Sequence, residues 1–546
     1  MPKAGGVLAA LLALGVARAQ SPAPAPEPTP ASTPTPMQAA LAPSRRTWEE
    51  LDAAGAVLAG IEIRPMQVFD LSKPIENSWV GRTADRIHIQ TRPGVIRDGL
   101  LFKAGDPVDA RLIHESERNL RAYRFVKDAL IRPEVDAEGK VHAVVEVQDA
   151  WTLKPSVSYE QVGGQRAWSF RVKEQNLFGS GKTLDIGHEQ RPERTTTSFI
   201  YSDPQFFGSR WAMDLGYEEL SDGWARSFHL ERPFFSLQTP WAFSAKGQSI
   251  KSTLTEYDDG REVYTAPSRL DTVDIQGGPG FWEGGRSAWR LQLLLTARQA
   301  TYGALTPLDP GVLQPPDLSP RRFRGAGLSW SFLQDDFDDF HNLAAVRVTE
   351  NYNLGWEARL DFGAFSKSMG SLVNAAFFRP KVAKGWAPAP GDLVLFRLEG
   401  EGRHEPGGWR DTRATGSFTV YHQGLPRQTL AANLTIDLAL RPDPEHLLYA
   451  GGLDGLRGYG NYLHPGDRRW LFTAEDRILT PTTWLWGILQ MGFVAFLDAG
   501  AIRRLDGLGW TRTYSDVGGG FRFGDLKSSL GHVVLVTVAF PLTRDP

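Results

Sequence analysis

Three stretches of the sequence hold residue types that could bind a phosphate, a cation or a carboxylate. Residues 179–183 read Gly-Ser-Gly-Lys-Thr and match part of a phosphate-binding loop. Residues 335–339 contain four aspartates, whose oxygens are ligands that divalent cations prefer. Residues 451–459 place four glycines around Arg457, so the backbone can pack closely while the guanidinium reaches a fixed acceptor. The surrounding elements decide which of these chemistries is used.

The first two stretches are better explained as turns and loops. A complete phosphate-binding loop needs a glycine where Asn176 stands, and a strand rather than a helix follows residues 179–183. We therefore expect a polar hairpin turn there. The four aspartates lack the alternating spacing and the glycine of a calcium loop, which favours a solvated loop over a divalent-ion site.

Composition excludes several classes of protein. The chain has 546 residues, a formal net charge of -3 and no cysteine, which rules out disulfides, thiolate metal sites, cysteine nucleophiles and a lipid anchor on cysteine. Nucleic-acid binding would require a cluster of basic residues, and the sequence has no such cluster, so we expect no nucleic-acid partner. The sequence has neither G-x-S-x-G nor H-E-x-x-H. We expect no enzyme activity, no metal and no cofactor, although a lipid hydrolase assembled from Ser, His and an acid on separate strands remains an alternative.

The N-terminus is typical of an exported protein. Residues 1–19 combine Lys3, an apolar stretch and a small-residue cleavage pattern, which indicates a signal peptide. Residues 20–59 are expected to be a proline-rich linker, since seven of the sixteen residues in 21–36 are proline.

Residues 60–150 mix helical and strand periodicity. Residues 61–63 predict a first strand, and apolar residues at near-helical spacing over 87–102 predict a helix. A second helix begins after Asp109, which can cap it. Two strands follow at 129–132 and 140–147. The order β-α-α-β-β predicts a small α+β domain.

From residue 151 to residue 546 the hydrophobic pattern has a period of two, which indicates strands with one apolar and one polar face. A soluble all-β fold and a membrane barrel both produce this pattern. Tryptophans near the ends of the strand-like runs favour a membrane barrel, because such barrels carry aromatic girdles. These tryptophans are Trp168, Trp211, Trp224, Trp241, Trp289, Trp330, Trp409, Trp470 and Trp510.

Twenty consecutive uncharged residues at 478–497 are long enough for a membrane helix. Pro481 and the threonines around it favour a turn at 480–483, so we predict two strands of a hairpin instead.

The glycine-rich stretch 451–459 lies between two predicted strands. Downstream strands supply Glu475 and Asp498, and an arginine inside a barrel can bind a carboxylate through two hydrogen bonds. A loop pinned in the lumen by Arg457 is one interpretation, and an exposed surface loop is the other.

These motifs together resemble the outer-membrane assembly superfamily, that is, the BamA/TamA-type or bacterial surface antigen proteins. Leu456, Arg457, Gly458 and Tyr459 look like the lumen-loop signature of that family. Four residues on downstream strands look like the strand motifs that receive the arginine in that family: Glu475, Phe496, Asp498 and Gly500. Residues 60–150 look like a single polypeptide-transport-associated (POTRA) domain, with matching patterns at 102–106 and 116–120.

The resemblance implies an all-β transmembrane barrel of about 16 antiparallel strands over residues 151–546, after a periplasmic POTRA-like domain. It implies a place in the outer membrane and contact with its lipid. The implied function is insertion of barrel proteins, or translocation of polypeptides, without covalent chemistry. The implied partners are unfolded outer-membrane or secreted polypeptides, and periplasmic chaperones or an assembly complex. A passive pore or a surface adhesin with the same fold is the alternative.

Overall fold

The computed structural model describes residues 42–69, 72, 74, 77–162, 165–282, 284–309, 313–527 and 533–543. The expected signal peptide and the proline tract lie outside these residues. The first part of the described chain is an α+β domain. Its helices are α1 (Trp48–Ala53), α2 (Trp79–Ile87), α3 (Pro93–Gly99) and α4 (Ala110–Ala122). Its strands are β1 (Ala42–Pro43), β2 (Leu58–Met66), β3 (Val126–Val135) and β4 (Val141–Asp149).

The α+β domain is built on one four-stranded sheet in the order β1-β3-β4-β2. β4 runs parallel to β2 and antiparallel to β3, so it lies at the centre. Its residues Val141, Ala143, Val145 and Val147 are buried against the helices, as expected for a central strand. α4 begins after Asp109, whose side chain accepts a hydrogen bond from the Leu112 backbone N–H, so the expected cap is confirmed.

The C-terminal part of the expected linker is folded, so the prediction that it extends to residue 59 is wrong. Thr47 and Glu50 form a capping box that starts α1. Trp48 and Leu51 are buried in the core of the domain, and Trp48 Nε1 donates a 2.8 Å hydrogen bond to Ile131 O. The helix signal and these two apolar side chains outweigh the extended preference of the preceding prolines.

The expected helix over 87–102 is shorter in the structure, where α3 lies inside this range and an additional helix, α2, ends at its start. α2 ends at Ile87, and α3 begins at Pro93, which fits the first position of a helix because it has no N–H to leave unpaired. The domain therefore holds two more helices, α1 and α2, than the expected β-α-α-β-β order.

The rest of the described chain forms a closed barrel in which consecutive wall strands are antiparallel. Within the described residues, nineteen strands of eight or more residues build its wall. The first ten are β5 (Leu153–Val162), β6 (Gln165–Glu174), β7 (Thr183–Gln190), β8 (Thr195–Phe206), β9 (Trp211–Leu220), β10 (Gly223–Arg232), β11 (Trp241–Asp258), β12 (Arg261–Phe281), β13 (Ser287–Tyr302) and β15 (Arg321–Gln334), with the short β14 (Thr306–Pro307) between the last two.

The other nine wall strands follow a small hairpin made of β16 (Phe337–His341) and β17 (Thr349–Asn353). They are β18 (Trp356–Phe365), β19 (Ala375–Trp386), β20 (Leu393–Glu405), β21 (Gly408–His422), β22 (Gln428–Leu440), β24 (His464–Trp484), β25 (Leu489–Arg504), β26 (Tyr514–Asp525) and β27 (Val533–Pro541), with the short β23 (Leu448–Ala450) before β24. The expectation of an antiparallel barrel is confirmed, with more strands than the 16 that the resemblance implied.

The wall is inverted relative to a soluble β-protein. Ile436 and Leu438 are 48% and 46% exposed, whereas Asp437 between them is 5% exposed. A soluble sheet would bury the apolar row, so these rows form a surface that faces lipid and the polar rows line the lumen. Among the described residues, no helix has the length and hydropathy needed to cross a membrane.

Because the described wall has an odd number of strands, the two strands that meet where the ring closes have a different relative direction from all the other neighbouring pairs. All eighteen consecutive pairs in this wall are antiparallel, so β5 and β27, which lie side by side where the ring closes, point in the same direction. Their outward side chains are more exposed than Ile436 and Leu438 of β22: Val157 is 76% exposed and Phe540 is 62% exposed. These side chains at the closure are therefore less covered by their neighbours than those of β22.

The long uncharged stretch crosses the wall as two strands, as predicted. The turn, however, lies between β24 and β25 at 485–488, where Leu485 and Trp486 have positive φ, and not at 480–483. Residues 480–482 remain in β24 but lose their register with β25. Gln490 fills this gap, with its side-chain amide donating to the carbonyl oxygens of Thr480 and Thr482.

The stretch 179–183 is a turn, as predicted, and it attaches the α+β domain to the barrel. Asn176 Nδ2 donates to Thr91 Oγ1 at 2.9 Å, and Thr91 donates through its N–H and its hydroxyl to Asp149, both at 2.8 Å. A Cβ atom on Gly181 would lie 2.8 Å from the Phe125 ring of the domain. Domain and barrel thus meet through close-packed backbone at what we call the domain end of the barrel; the opposite end is the loop end.

Candidate functional site: an arginine-held loop in the barrel lumen

The loop between β22 and β24 starts at the loop end and folds back into the lumen. Leu456 at its tip is fully buried. It packs in one apolar cluster with Tyr459, Leu471 and Ile502. Gly500 on β25 makes room for this side chain, because a Cβ atom there would lie 2.7 Å from Leu471 and 3.4 Å from Leu456. The glycine-rich stretch is therefore a luminal insert and not an exposed surface loop.

Arg457 joins the tip of this loop to two strands of the wall. Its Nε and Nη2 donate to the two carboxylate oxygens of Asp498 at 2.7 and 2.8 Å. Its Nη1 donates to Glu475 Oε1 at 2.8 Å. The guanidinium carbon also lies 3.5 Å from the centroid of the Phe496 ring, a cation–π contact. We call Arg457, Glu475, Phe496 and Asp498 the arginine lock.

The electrostatics of the arginine lock favour a permanent ion pair. Burial by itself lowers the pKa of Arg457, but the hydrogen bonds and negative charges of Asp498 and Glu475 outweigh burial and hold that pKa above its ordinary value. Asp498 is fully buried, so the guanidinium replaces the water that its carboxylate has lost. A hydrogen bond to a charged group contributes about 1.5–3 kcal/mol, and two parallel bonds also fix direction.

Gly458 and Tyr459 tie the same tip to the last two strands. A Cβ atom on Gly458 would lie 2.7 Å from Asp516 Cβ on β26 and 3.1 Å from Pro541 N on β27. The Tyr459 hydroxyl lies 2.7 Å from Ser515 O and 2.8 Å from Thr543 O. All four residues of the motif thus contact the barrel between β24 and the strand at its closure.

Two further residues belong to this site and were not singled out in the sequence. Arg477 lies two positions after Glu475 on the same luminal row, and its Nε donates to Glu475 Oε2 at 2.8 Å. Asp516 is the register partner of Asp498. It is fully buried, so its carboxylate lies beside that of Asp498 in the wall. The period-two pattern places both side chains on the luminal face, which is the only signal the sequence offers for them.

A second group of ion pairs holds the beginning of the same loop. Arg403 on β20 donates to both oxygens of Asp443 at 2.9 and 3.0 Å. Asp411 and His446 lie beside them, close enough to surround a cation. Because Arg403 Nη1 also lies 3.3 Å from Asp411, the carboxylates are already neutralised by an arginine. This group therefore acts as a structural ion-pair network.

The four aspartates at 335–339 start the β16–β17 hairpin. Asp335 accepts from Arg118 of α4 at 3.1 Å, and Asp336 accepts from Arg286 at 3.0 Å. Asp339 faces Asn351 across the hairpin. The expected solvated loop is thus a structured element at the domain end.

A closed membrane barrel, an α+β domain at one end, and a luminal loop pinned by an arginine define the architecture that the sequence motifs indicated. No protein-family model matches the chain, and no curated protein matches it. Similar solved structures include CdiB from Escherichia coli, at 13% identity over 93% of this chain and 77% of that chain, with a TM-score of 0.43.

Two further similar structures are CdiB from Acinetobacter baumannii and BamA from Haemophilus ducreyi lacking POTRA domains 1-3. The former has 11% identity over 85% of this chain and 74% of that chain, with a TM-score of 0.39. The latter has 11% identity over 89% of this chain and 82% of that chain, with a TM-score of 0.35.

Proposed function

We propose that the protein is an outer-membrane factor that inserts barrel proteins into the outer membrane or translocates polypeptides across it. The observation that carries the proposal is the arginine lock, in which Arg457 fixes a luminal loop to β24 and β25 next to the closure of the ring. The α+β domain, held at one end of the barrel, would lie in the periplasm. It would present the free edge of β2 to an extended client.

The work of such a factor needs no covalent chemistry. β5 and β27 are hydrogen-bonded neighbours in the ring, and unpaired backbone groups in hydrocarbon cost several kcal/mol each. Separation of these two strands would therefore create edges that pair with a client strand. The exposure of β5 and β27 supports this use of the closure. The luminal loop supports it as well, because Gly458 and Tyr459 fix the strands that border the closure.

The test is depletion of the protein in its native host, followed by quantitative proteomics of the outer-membrane fraction. We expect selective loss of other barrel or secreted proteins. Complementation with the wild-type chain should restore them and complementation with Arg457→Ala should not. An unchanged membrane proteome would refute the proposal and favour a passive pore or adhesin, which ion conductance in planar bilayers would then identify.

One observation supports a second candidate, a hydrolase. Ser244 Oγ lies 3.0 Å from His229 Nε2, and Asp214 Oδ2 lies 3.6 Å from His229 Nδ1, on three adjacent strands. This order of groups is that of a serine hydrolase. The strands beside Ser244 use their backbone N–H groups in the sheet, however, and such N–H groups are the usual oxyanion donors. Ester hydrolysis that is abolished by Ser244→Ala would establish this candidate over the first.

A further inference from the structure

The β16–β17 hairpin enters the lumen from the domain end, opposite to the arginine-held loop. Its tip, residues 342–348, turns back on itself with Asn342 and Arg347 at positive φ. Glu350 closes the tip by accepting hydrogen bonds from the backbone N–H groups of Leu343 and Ala344 at 2.8 and 2.9 Å. The hairpin is therefore a compact insert with its own internal bonds.

The tip is fixed to the luminal wall. Leu343 is fully buried and packs with Leu393 of β20, which is also fully buried. Thr429 of β22 donates to Asn342 O at 2.9 Å, and Arg522 of β26 donates to Ala344 O. Three wall strands, β20, β22 and β26, thus hold one short turn inside the domain-end half of the lumen.

Arg477 connects the tip to the arginine lock. Its Nη1 donates to Leu343 O at 2.6 Å, while its Nε donates to Glu475, the acceptor of Arg457. A continuous chain of contacts therefore runs from the hairpin tip through Arg477 and Glu475 to Arg457. Two side chains of β24, Arg477 and Glu475, thus bridge the two luminal inserts.

The base of the hairpin is held by the α+β domain. Arg118 of α4 pairs with Asp335, and Arg121 lies 3.4 Å from Asn351 Oδ1. A cavity of about 670 Å³ is lined by α4, by the hairpin and by the turn that carries Phe235. The wall of this cavity includes Arg118, Phe337 and Tyr352, so a chain segment that enters it would compete with the contacts that hold the hairpin.

We propose that the β16–β17 hairpin is a plug for the domain-end half of the lumen, held by α4 and coupled to the arginine lock through Arg477. This rests on the proposed function only for its trigger, which is a polypeptide entering the cavity beside α4. Arg477 is a positioning residue: it holds Glu475 for Arg457 and the hairpin tip at the same time.

The plug is tested by single-channel conductance of the full-length protein in planar bilayers. Replacing residues 342–348 by a Gly-Ser linker should raise the conductance several-fold over the wild type. A folded variant, shown by heat-modifiable gel migration, that conducts no better than the wild type would overturn the plug.

A disulfide tether gives the complementary measurement, since the chain has no cysteine of its own. A Cβ atom on Gly524 would lie 2.4 Å from Val346 Cβ, so the pair Val346→Cys with Gly524→Cys bonds after a retreat of about 1–2 Å to disulfide geometry. The Arg118→Ala change in this background should raise conductance when reduced and leave it low when oxidised. Equal conductance in both states would contradict the plug.

The coupling is tested by hydrogen exchange of the loop peptide 451–459. Arg477→Ala should speed exchange there about tenfold, and Arg477→Lys, which keeps a donor for Glu475, should restore most of the protection. Arg503→Ala is the matched control, because Arg503 pairs with Asp467 away from the lock. No change in Arg477→Ala would overturn the coupling. These measurements use purified protein, so they stand or fall separately from the depletion experiment.

Discussion

Asp498 receives two hydrogen bonds from the Arg457 guanidinium, at 2.7 and 2.8 Å, while remaining fully inaccessible to solvent. Removing the arginine leaves a buried carboxylate without its counter-charge, a defect that costs about 3–5 kcal/mol. We therefore expect Arg457→Ala to lower the temperature at which the barrel loses its folded migration on gels. Arg457→Lys should fall between that variant and the wild type. Unchanged migration of Arg457→Ala would contradict the lock.

Gly458 has no room for a side chain. Gly458→Ala would place a methyl group 2.7 Å from Asp516 Cβ, so the loop tip must move away from β26. We expect faster proteolysis of the loop and destabilisation of about 1–3 kcal/mol from overpacking. Gly416→Ala is the matched control, since its nearest neighbour would be 3.9 Å away. The prediction fails if both variants behave alike.

The close packing at Gly181, where the domain meets the barrel, can be tested with Gly55 as a reference. Gly181 and Gly55 have nearly the same positive φ, +71° and +63°, but only Gly181 faces close neighbours. Both Gly→Ala changes cost about 1–2 kcal/mol for the left-handed backbone. Only Gly181→Ala should push the domain off the barrel, seen as faster hydrogen exchange at residues 88–92 and 176–182. Equal exchange in the two variants would count against the close packing.

The α+β domain contains a pH-sensitive contact between α1 and α4. The hydrogen bond to Glu117 is the main cause that raises the pKa of His114 to about 9, and Glu49 adds to it. The hydrogen bond from His114 in turn lowers the pKa of Glu49 to about 2. The stabilisation by protonated His114 is complete below the ordinary histidine value near 6.5 and is lost as the pH rises through about 9.

We accordingly expect exchange of the α1 peptide, corrected for intrinsic rates, to rise between pH 6.5 and pH 9 in the wild type. His114→Gln removes the titrating ring and should give a flat profile over the same range. The effect is small, because the pair is partly exposed and screened by solvent. A slope that persists in His114→Gln would assign it to another group.

The barrel and the residues of the lock could be anticipated because each depends on a local signal. Alternation with a period of two fixes which rows face lipid, and Leu456 to Tyr459 form a motif whose acceptors lie on downstream strands. The capping box at Thr47 and Glu50 is also a local signal, but the preceding prolines led to the prediction of a linker through residue 59. These features need only short stretches of sequence.

Other features could not be predicted from the sequence, because they depend on contacts between distant residues inside the barrel. Whether the aspartate-rich segment is solvated or inserted is decided by the room left in the lumen and by Arg118, 217 residues away from Asp335 in sequence. The sequence does not distinguish Arg477 from other luminal arginines, because its role depends on the hydrogen bond to Leu343 O of the hairpin. The number of wall strands likewise depends on which strand-like segments join the wall. Residues 337–341 and 349–353 pair with each other and are not part of it.

The odd strand number of the described wall has a geometric consequence for anything added at the closure. In a ring with an even number of strands, the first and last run in opposite directions, and one added strand is antiparallel to one neighbour and parallel to the other. Here β5 and β27 share a direction, so a single strand laid between them would be antiparallel to both. The added strand would bring the ring to an even count and make every pairing in it antiparallel.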